Sequence, residues 1–202
     1  MLKGEETGLY FMDSTKQQIC HNKRTSSNRV FKRIAKVGMS SYVWFMGFKL
    51  HLIINNKGEI MAIKITKGNS SDLSAVEALT KGLKGKVIGD KGYISKKLFA
   101  ELNARDLRLI TGIRKDMKNY LLDVEDKKLL RKRSLIESVF NVLKNHMSLE
   151  HTRHRSPVNF IVHVLACIVA YAIKKSQYDL IILRNVMNPY PKFAFSSKSN
   201  KT

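Results

Sequence analysis

Hydrophobic and polar positions along this chain follow two periods, and the switches between them mark its elements. Residues 8–13 (GLYFMD) form a short apolar run ending on an acid, the pattern of a strand. In residues 44–54 (WFMGFKLHLII), Phe48, Leu50, Leu52 and Ile54 alternate with Lys49 and His51. After Asn55-Asn56-Lys57-Gly58 the apolar rhythm resumes over 59–66, which predicts a hairpin. Residues 71–83 (SDLSAVEALTKGL) change to helical spacing at Leu73, Val76, Leu79 and Leu83. A strand ending at Asp90 follows, then a helix over about 95–105 capped by Ser95 and a short strand over 107–111. Residues 126–147 predict a long basic helix with Leu129, Leu130, Ile136, Val139, Phe140 and Leu143 on its apolar side. Pro157 opens a final apolar helix, since proline fits a first turn. The order of elements predicts a mixed α/β domain over 1–176, with a basic insertion at about 14–40 and a poorly ordered extension over 177–202.

Charge narrows the range of partners. Lys and Arg total 37 against 16 Asp and Glu, a net charge of +21, far more than solubility requires. Such a balance points to a polyanion, and nucleic acid is favoured because no basic amphipathic helix with a Trp/Phe/Leu face suggests a membrane surface. The longest apolar stretch, FIVHVLACIVAYAI at 160–173, is shorter than the ~20 residues that span a bilayer. It predicts a core helix or subunit contact, so no membrane partner is expected. Cys20 and Cys167 form no metal-binding spacing and no disulfide framework, as suits a reducing cytosol.

Against this basic background three acids stand out. Asp13 and Asp90 end strands, and Glu137 lies on the basic helix. Each has a plain explanation. Asp90 in KVIGDKGY could cap a turn, which is the simpler reading of that stretch alone, and Glu137 could pair with Arg133 at i,i+4. Yet Arg133, Glu137 and Lys144 fall on one helical stripe, and convergent carboxylates on a cationic protein suit two divalent ions acting on a phosphodiester. Carboxylate and phosphate oxygens are the ligands Mg²⁺ prefers.

The segments FMDST, KLHLIINNKGEI, TKGNSSD, GDKGY, RKRSLIESVFNVLKNH and HTRHRSP, in that order, resemble bacterial insertion-sequence transposases of the DDE type, most nearly the insertion-sequence 982 family. The resemblance covers about residues 9–176. It implies a ribonuclease-H-like mixed sheet, three antiparallel strands continued by β-α units and flanked by helices. It implies Asp13, Asp90 and Glu137 as catalytic residues and ligands of two Mg²⁺ or Mn²⁺ ions. The implied activity is cleavage of double-stranded DNA at the element's ends and strand transfer to a target, by a homodimer in the bacterial cytoplasm, associated with the nucleoid. Arg133, Lys144, Lys91, Arg153 and Arg155 are the expected DNA-binding residues. Leu130 departs from the tyrosine of the group's helix signature, and the helical region that family members carry ahead of the first aspartate is not seen before Asp13. Two alternatives therefore stand beside the transposase, a truncated inactive remnant that only binds DNA and a ribonuclease-H-like nuclease.

Other residues carry weaker expectations. Asn69 and Asp72 suit either a turn with a helix cap or an auxiliary role near the substrate. His151 and His154, with Arg153 and Arg155, suit a basic DNA-contacting turn rather than a metal site. His51 is expected at the surface and Trp44 in the core rather than as a base-stacking platform.

Overall fold

The computed structural model describes residues 3–40, 43–112, 123–150 and 154–187, with backbone alone over 178–187. One mixed sheet contains β1 (Leu9–Gln18), β2 (Lys36–Ser40), β3 (Val43–Asn55), β4 (Ile60–Lys67), β5 (Gly85–Gly89) and β6 (Leu107–Thr111). Its order is β2-β3-β1-β5-β6, with β4 also paired to β3. β3 is long enough to hold β1 along one edge and, along the other, β2 followed by β4. β1 runs antiparallel to β3 and parallel to β5, and β5 runs parallel to β6. β1 is therefore the strand at which the sheet changes from antiparallel to parallel.

Both faces of the sheet are covered. Phe11, Leu50, Leu52, Ile54, Ile88 and Ile110 pack on one side against α4 (Ser134–Asn145) and α5 (Pro157–Met187), through Ile136, Leu143, Phe160 and Val164 among others. On the other side Tyr10, Met12, Ile53 and Val87 pack against α1 (Leu73–Leu79) and α2 (Lys96–Asn103). The period of 2 in β1 and β3 sends alternate residues into the two cores. Ser95 caps α2 by accepting from the Leu98 amide at 3.4 Å. A short helix, α3 (Val124–Arg131), is tied to the sheet by the buried Asp126, whose carboxylate meets Lys86 of β5 and Arg108 of β6.

Several expectations change. β1 continues to Gln18, five residues into the segment expected to be a basic insertion, and the same segment ends in β2. The long basic helix is two helices. At Lys132 and Arg133 the backbone shifts to i−3 hydrogen bonds, with Leu135 donating to Lys132 and Ile136 to Arg133. This tightened turn separates α3 from α4 and places Glu137 in the first turn of α4 rather than in mid-helix. His51 is fully buried, because α1 covers the face that alternation alone would have left to water. Trp44 is 60% exposed, because β2 and the start of β3 extend beyond the helices that cover the rest of the sheet.

α5 shows one helix that by length and composition could cross a membrane, over Pro157–Gln177. Phe160, Val164, Cys167, Ile168 and Tyr171 nevertheless pack into the core, and the Tyr171 hydroxyl donates to the Gly58 carbonyl at 2.7 Å. The helix continues past residue 176 to Met187, and residues 188–202 lie outside the described chain. Both cysteines are buried free thiols.

Candidate active site

The parallel pairing of β1 with β5 ends at Phe11 opposite Ile88. Two residues further along each strand direction are Asp13 and Asp90, so the register brings the two acids to the same level, just past the end of the parallel pairing. Crevices in open α/β sheets form where the strand order reverses, as it does here with β2 and β3 on one side of β1 and β5 and β6 on the other. Asp13 stands opposite Leu52 and shares its face, the one covered by α4. Gly89 lets β5 close on its neighbours, since a Cβ there would lie 2.9 Å from Met12 Cε. Asp90 starts a 3-10 turn over Lys91–Tyr93, but its side chain makes no capping hydrogen bond, so the turn does not account for the carboxylate.

The carboxylates of Asp13, Asp90 and Glu137 meet one guanidinium. Arg133 Nη1 lies 3.9 Å from Asp13 Oδ2 and 3.7 Å from Asp90 Oδ1, while its Nη2 donates to Glu137 Oε1 at 2.8 Å. Arg133 occupies the N-cap position of α4, so the helix start that carries Glu137 also delivers the arginine. The i,i+4 pair is therefore present, and the same arginine also joins Asp90, just after β5, to Asp13, which lies within β1 rather than at its end. Among the described residues no three His, Cys, Asp or Glu side chains stand close enough to enclose a metal as they are arranged. By charge and donor type the three acids suit hard cations, and the positive charge now among them comes from Arg133.

Asp13 is short of positive charge. Its side chain is a quarter exposed, accepts the Ser14 amide at 2.8 Å and lies 3.9 Å from the guanidinium. Burial first, and then the nearby Asp90 and Asp72, raise its pKa to about 6 against the lowering effects of Ser14 and Arg133.

Behind this site, on the opposite face of the sheet, lies a second polar group that the sequence did not reveal. Asp72 Oδ1 accepts from Ser14 Oγ at 3.0 Å and from Lys49 Nζ at 3.1 Å, and lies 3.9 Å from His51 Nδ1. It makes no cap bond to α1, so the helix-cap explanation fails for its side chain. The other ring nitrogen of His51 meets Thr66 Oγ1 at 2.8 Å, and burial lowers the histidine pKa to about 4. Tyr93, buried beside them, shares a hydrogen bond with Ser14, and burial raises its pKa. The signal in the sequence was the alternation of β3, which puts Lys49 and His51 on the face opposite Leu50 and Leu52. In a sheet covered on both sides, that face is an interior.

The remaining expected site residues are more dispersed. Lys144 is on α4, but its ammonium pairs with Glu150 at 2.8 Å. Lys91 and Asn69 are exposed, Lys91 directly after Asp90. Arg155 is exposed, and His154 packs edge-on against Phe160. His151 and Arg153 lie outside the described residues.

The fold recurs in a solved transposase structure. A piggyBac transposase, in a synaptic complex with hairpin DNA, superposes with a TM-score of 0.56 at 8% identity, over 83% of this chain and 46% of that one. A simian T-cell lymphotropic virus intasome bound to a PP2A regulatory subunit gives a TM-score of 0.37 at 13% identity, over 83% and 50%. This chain thus spans about half the length of either. No curated protein sequence matches it. A family profile described as "Transposase DDE domain" matches residues 3–157, most of the chain, and the chain belongs to that family.

Proposed function

We propose that this transposase domain cuts DNA at the ends of an insertion sequence and joins the freed ends to a target, with Asp13, Asp90 and Glu137 holding two Mg²⁺ or Mn²⁺ ions. The observation that carries the reading is the convergence of those three acids on Arg133 at the switch point of the sheet. Bound metals would supply a polarised water and charge stabilisation for the leaving oxygen. With the carboxylates so engaged, the Arg133 guanidinium would turn from them to a DNA phosphate. In cleavage a water oxygen bonds to phosphorus as the bond to the 3′ oxygen breaks, and that oxygen leaves as a 3′-hydroxyl. In strand transfer the oxygen of that 3′-hydroxyl bonds to a target phosphorus as the target's own bond from phosphorus to its 3′ oxygen breaks, and the released target oxygen takes the proton as a new 3′-hydroxyl. Arg133, Lys144, Lys91, Arg153 and Arg155 would grip the flanking phosphates. We place the chain with the insertion-sequence 982 family, working in the bacterial cytoplasm at the nucleoid, as a dimer that holds two ends.

The pairing of Arg133 with Glu137 also favours a second reading, a basic DNA-binding protein that no longer cuts. The two separate in a nicking assay on supercoiled plasmid with Mg²⁺ or Mn²⁺. Metal-dependent nicks with 3′-hydroxyl ends, absent in Asp13→Asn, support cleavage; tight binding with no nicking by wild type supports the second reading.

A further inference from the structure

The β2–β3 hairpin carries a surface that the carboxylate site does not use. β1 pairs with β3 only as far as Gln18 opposite Gly47, so the start of β3 and β2 from Val37 onward extend beyond it. On the sheet face that carries Asp13, β3 presents Leu52, Leu50, Phe48, Met46 and Trp44 in turn. The first four are buried, whereas Trp44 is 60% exposed. Met39, opposite Trp44, and Val37, opposite Met46, are 52% and 44% exposed. The platform is pinned. Asn22 Nδ2 donates to the Trp44 carbonyl at 2.7 Å, and Gly38 packs so closely on the end of β4 that a Cβ would lie 1.9 Å from the Gly68 oxygen.

The segment leading to this platform has exposed Lys23, Arg24, Arg29, Lys32, Arg33 and Lys36, with no acid among residues 14–36. A second copy of the chain seated here would bring two such sets of cations together. An aromatic face beside uncompensated cations is complementary to a strand of nucleic acid, whose bases stack while its phosphates pair. We propose that the β2–β3 hairpin is a second DNA-contacting surface on which Trp44 stacks against an unpaired base. Along β3 it lies eight residues from the partner of Asp13, about 27 Å, or about eight nucleotides of B-form strand. The hairpin would thus hold DNA distant from the scissile bond. The inference rests on the reading of the partner as DNA.

Trp44 is the single tryptophan of the chain, so its emission reports on this surface alone. The full chain is titrated with a dT oligonucleotide and with a paired duplex of the same length. Tryptophan emission is followed together with the anisotropy of a fluorescein on the DNA. The expected result is strong quenching by dT. Trp44→Ala should weaken dT binding by about fivefold or more, Trp44→Phe by less, and duplex binding by either variant should change less than about twofold. Anisotropy that saturates with emission unchanged, or Trp44→Ala binding dT as tightly as wild type, overturns the proposal. So does emission that changes on dilution without DNA, which would mean that a second copy covers the tryptophan. Absence of all DNA binding overturns both this inference and the partner reading. Intact quenching in a wild-type chain that cannot nick DNA overturns only the cleavage reading.

Discussion

Asp126 and Asp13 are both carboxylates drawn into a strongly basic protein, yet they are held in opposite ways. Asp126 is fully buried, and each of its oxygens has its own cation, Lys86 at 3.0 Å and Arg108 at 2.7 Å. Asp13 is partly exposed and shares one distant guanidinium with two other acids. The first arrangement is saturated and fixes α3 to the sheet. The second leaves the acid wanting more positive charge than the chain supplies, which burial expresses by raising its pKa to about 6. An acid that is costly to ionise where it stands, in a protein with 37 basic residues, is a place for a cation brought from outside.

The largest effects that test this contrast are on activity. Asp13→Asn, Asp90→Asn and Glu137→Gln should each lower metal-dependent nicking by at least about a thousandfold, because the three act as a unit. DNA affinity without metal, measured by anisotropy, should stay level or tighten as negative charge is removed. A variant that nicks like wild type removes that residue from the site. Asp126→Ala should do the reverse. Lys86 and Arg108 are themselves partly exposed and can turn to water, so losing their buried partner should cost about 2 kcal/mol in chemical denaturation, and nicking by the folded fraction should be retained. A cost below about 1 kcal/mol would mean that the pair is no tether.

A smaller, more diagnostic effect lies in pH. Asp13 has a folded pKa raised to about 6, so the folded state binds the extra proton between its ordinary value and that point, and stability falls as pH rises through this window. His51 has a folded pKa lowered to about 4 from 6.5, so its contribution is present above 6.5 and lost as pH falls toward 4. The two slopes oppose each other between about pH 4 and 6. Asp13→Asn removes one of them. That variant should gain stability with rising pH more steeply than wild type, by on the order of 2 kcal/mol across the window. Parallel curves for the two proteins would mean that Asp13 is not strained by burial.

Much of this architecture could be read from the chain because most of its strands carry a clear apolar pattern. The strand over 107–111 and the hairpin around Asn55 fall where the alternation placed them. The break at Lys132 was hidden because apolar spacing continues across it, and only the shift to i−3 hydrogen bonds shows two helices. β2 was hidden because Lys-Val-Gly-Met-Ser offers only two apolar positions, Val37 and Met39, and takes its place by pairing with β3. His51 and Trp44 were misplaced for one reason: which face of a strand is covered is a tertiary fact, and alternation gives only that there are two faces. At the site, the pattern could put Asp90 at a strand end and Glu137 beside Arg133, but it ended the first strand at Asp13, which lies within β1. It could not show that a single guanidinium lies among all three.

That guanidinium supplies the smallest prediction and the one that ties stability to metal. Arg133→Gln leaves the three acids facing one another without their shared cation. Since Arg133 and all three of its partners are partly exposed, the loss should be about 1 kcal/mol or less at neutral pH with a chelator present. If the carboxylates take divalent cations, Mn²⁺ should restore that loss and raise the melting temperature of the variant more than that of wild type, because no arginine competes for the same oxygens. The stabilisation should grow with the logarithm of metal concentration once the site is filled. Thermal melts of both proteins across a Mn²⁺ series decide the matter. Equal shifts would mean that Arg133 and the metal do not compete. No shift in either protein would mean that these acids exist to hold Arg133, and the contrast between Asp13 and Asp126 would then be one of degree.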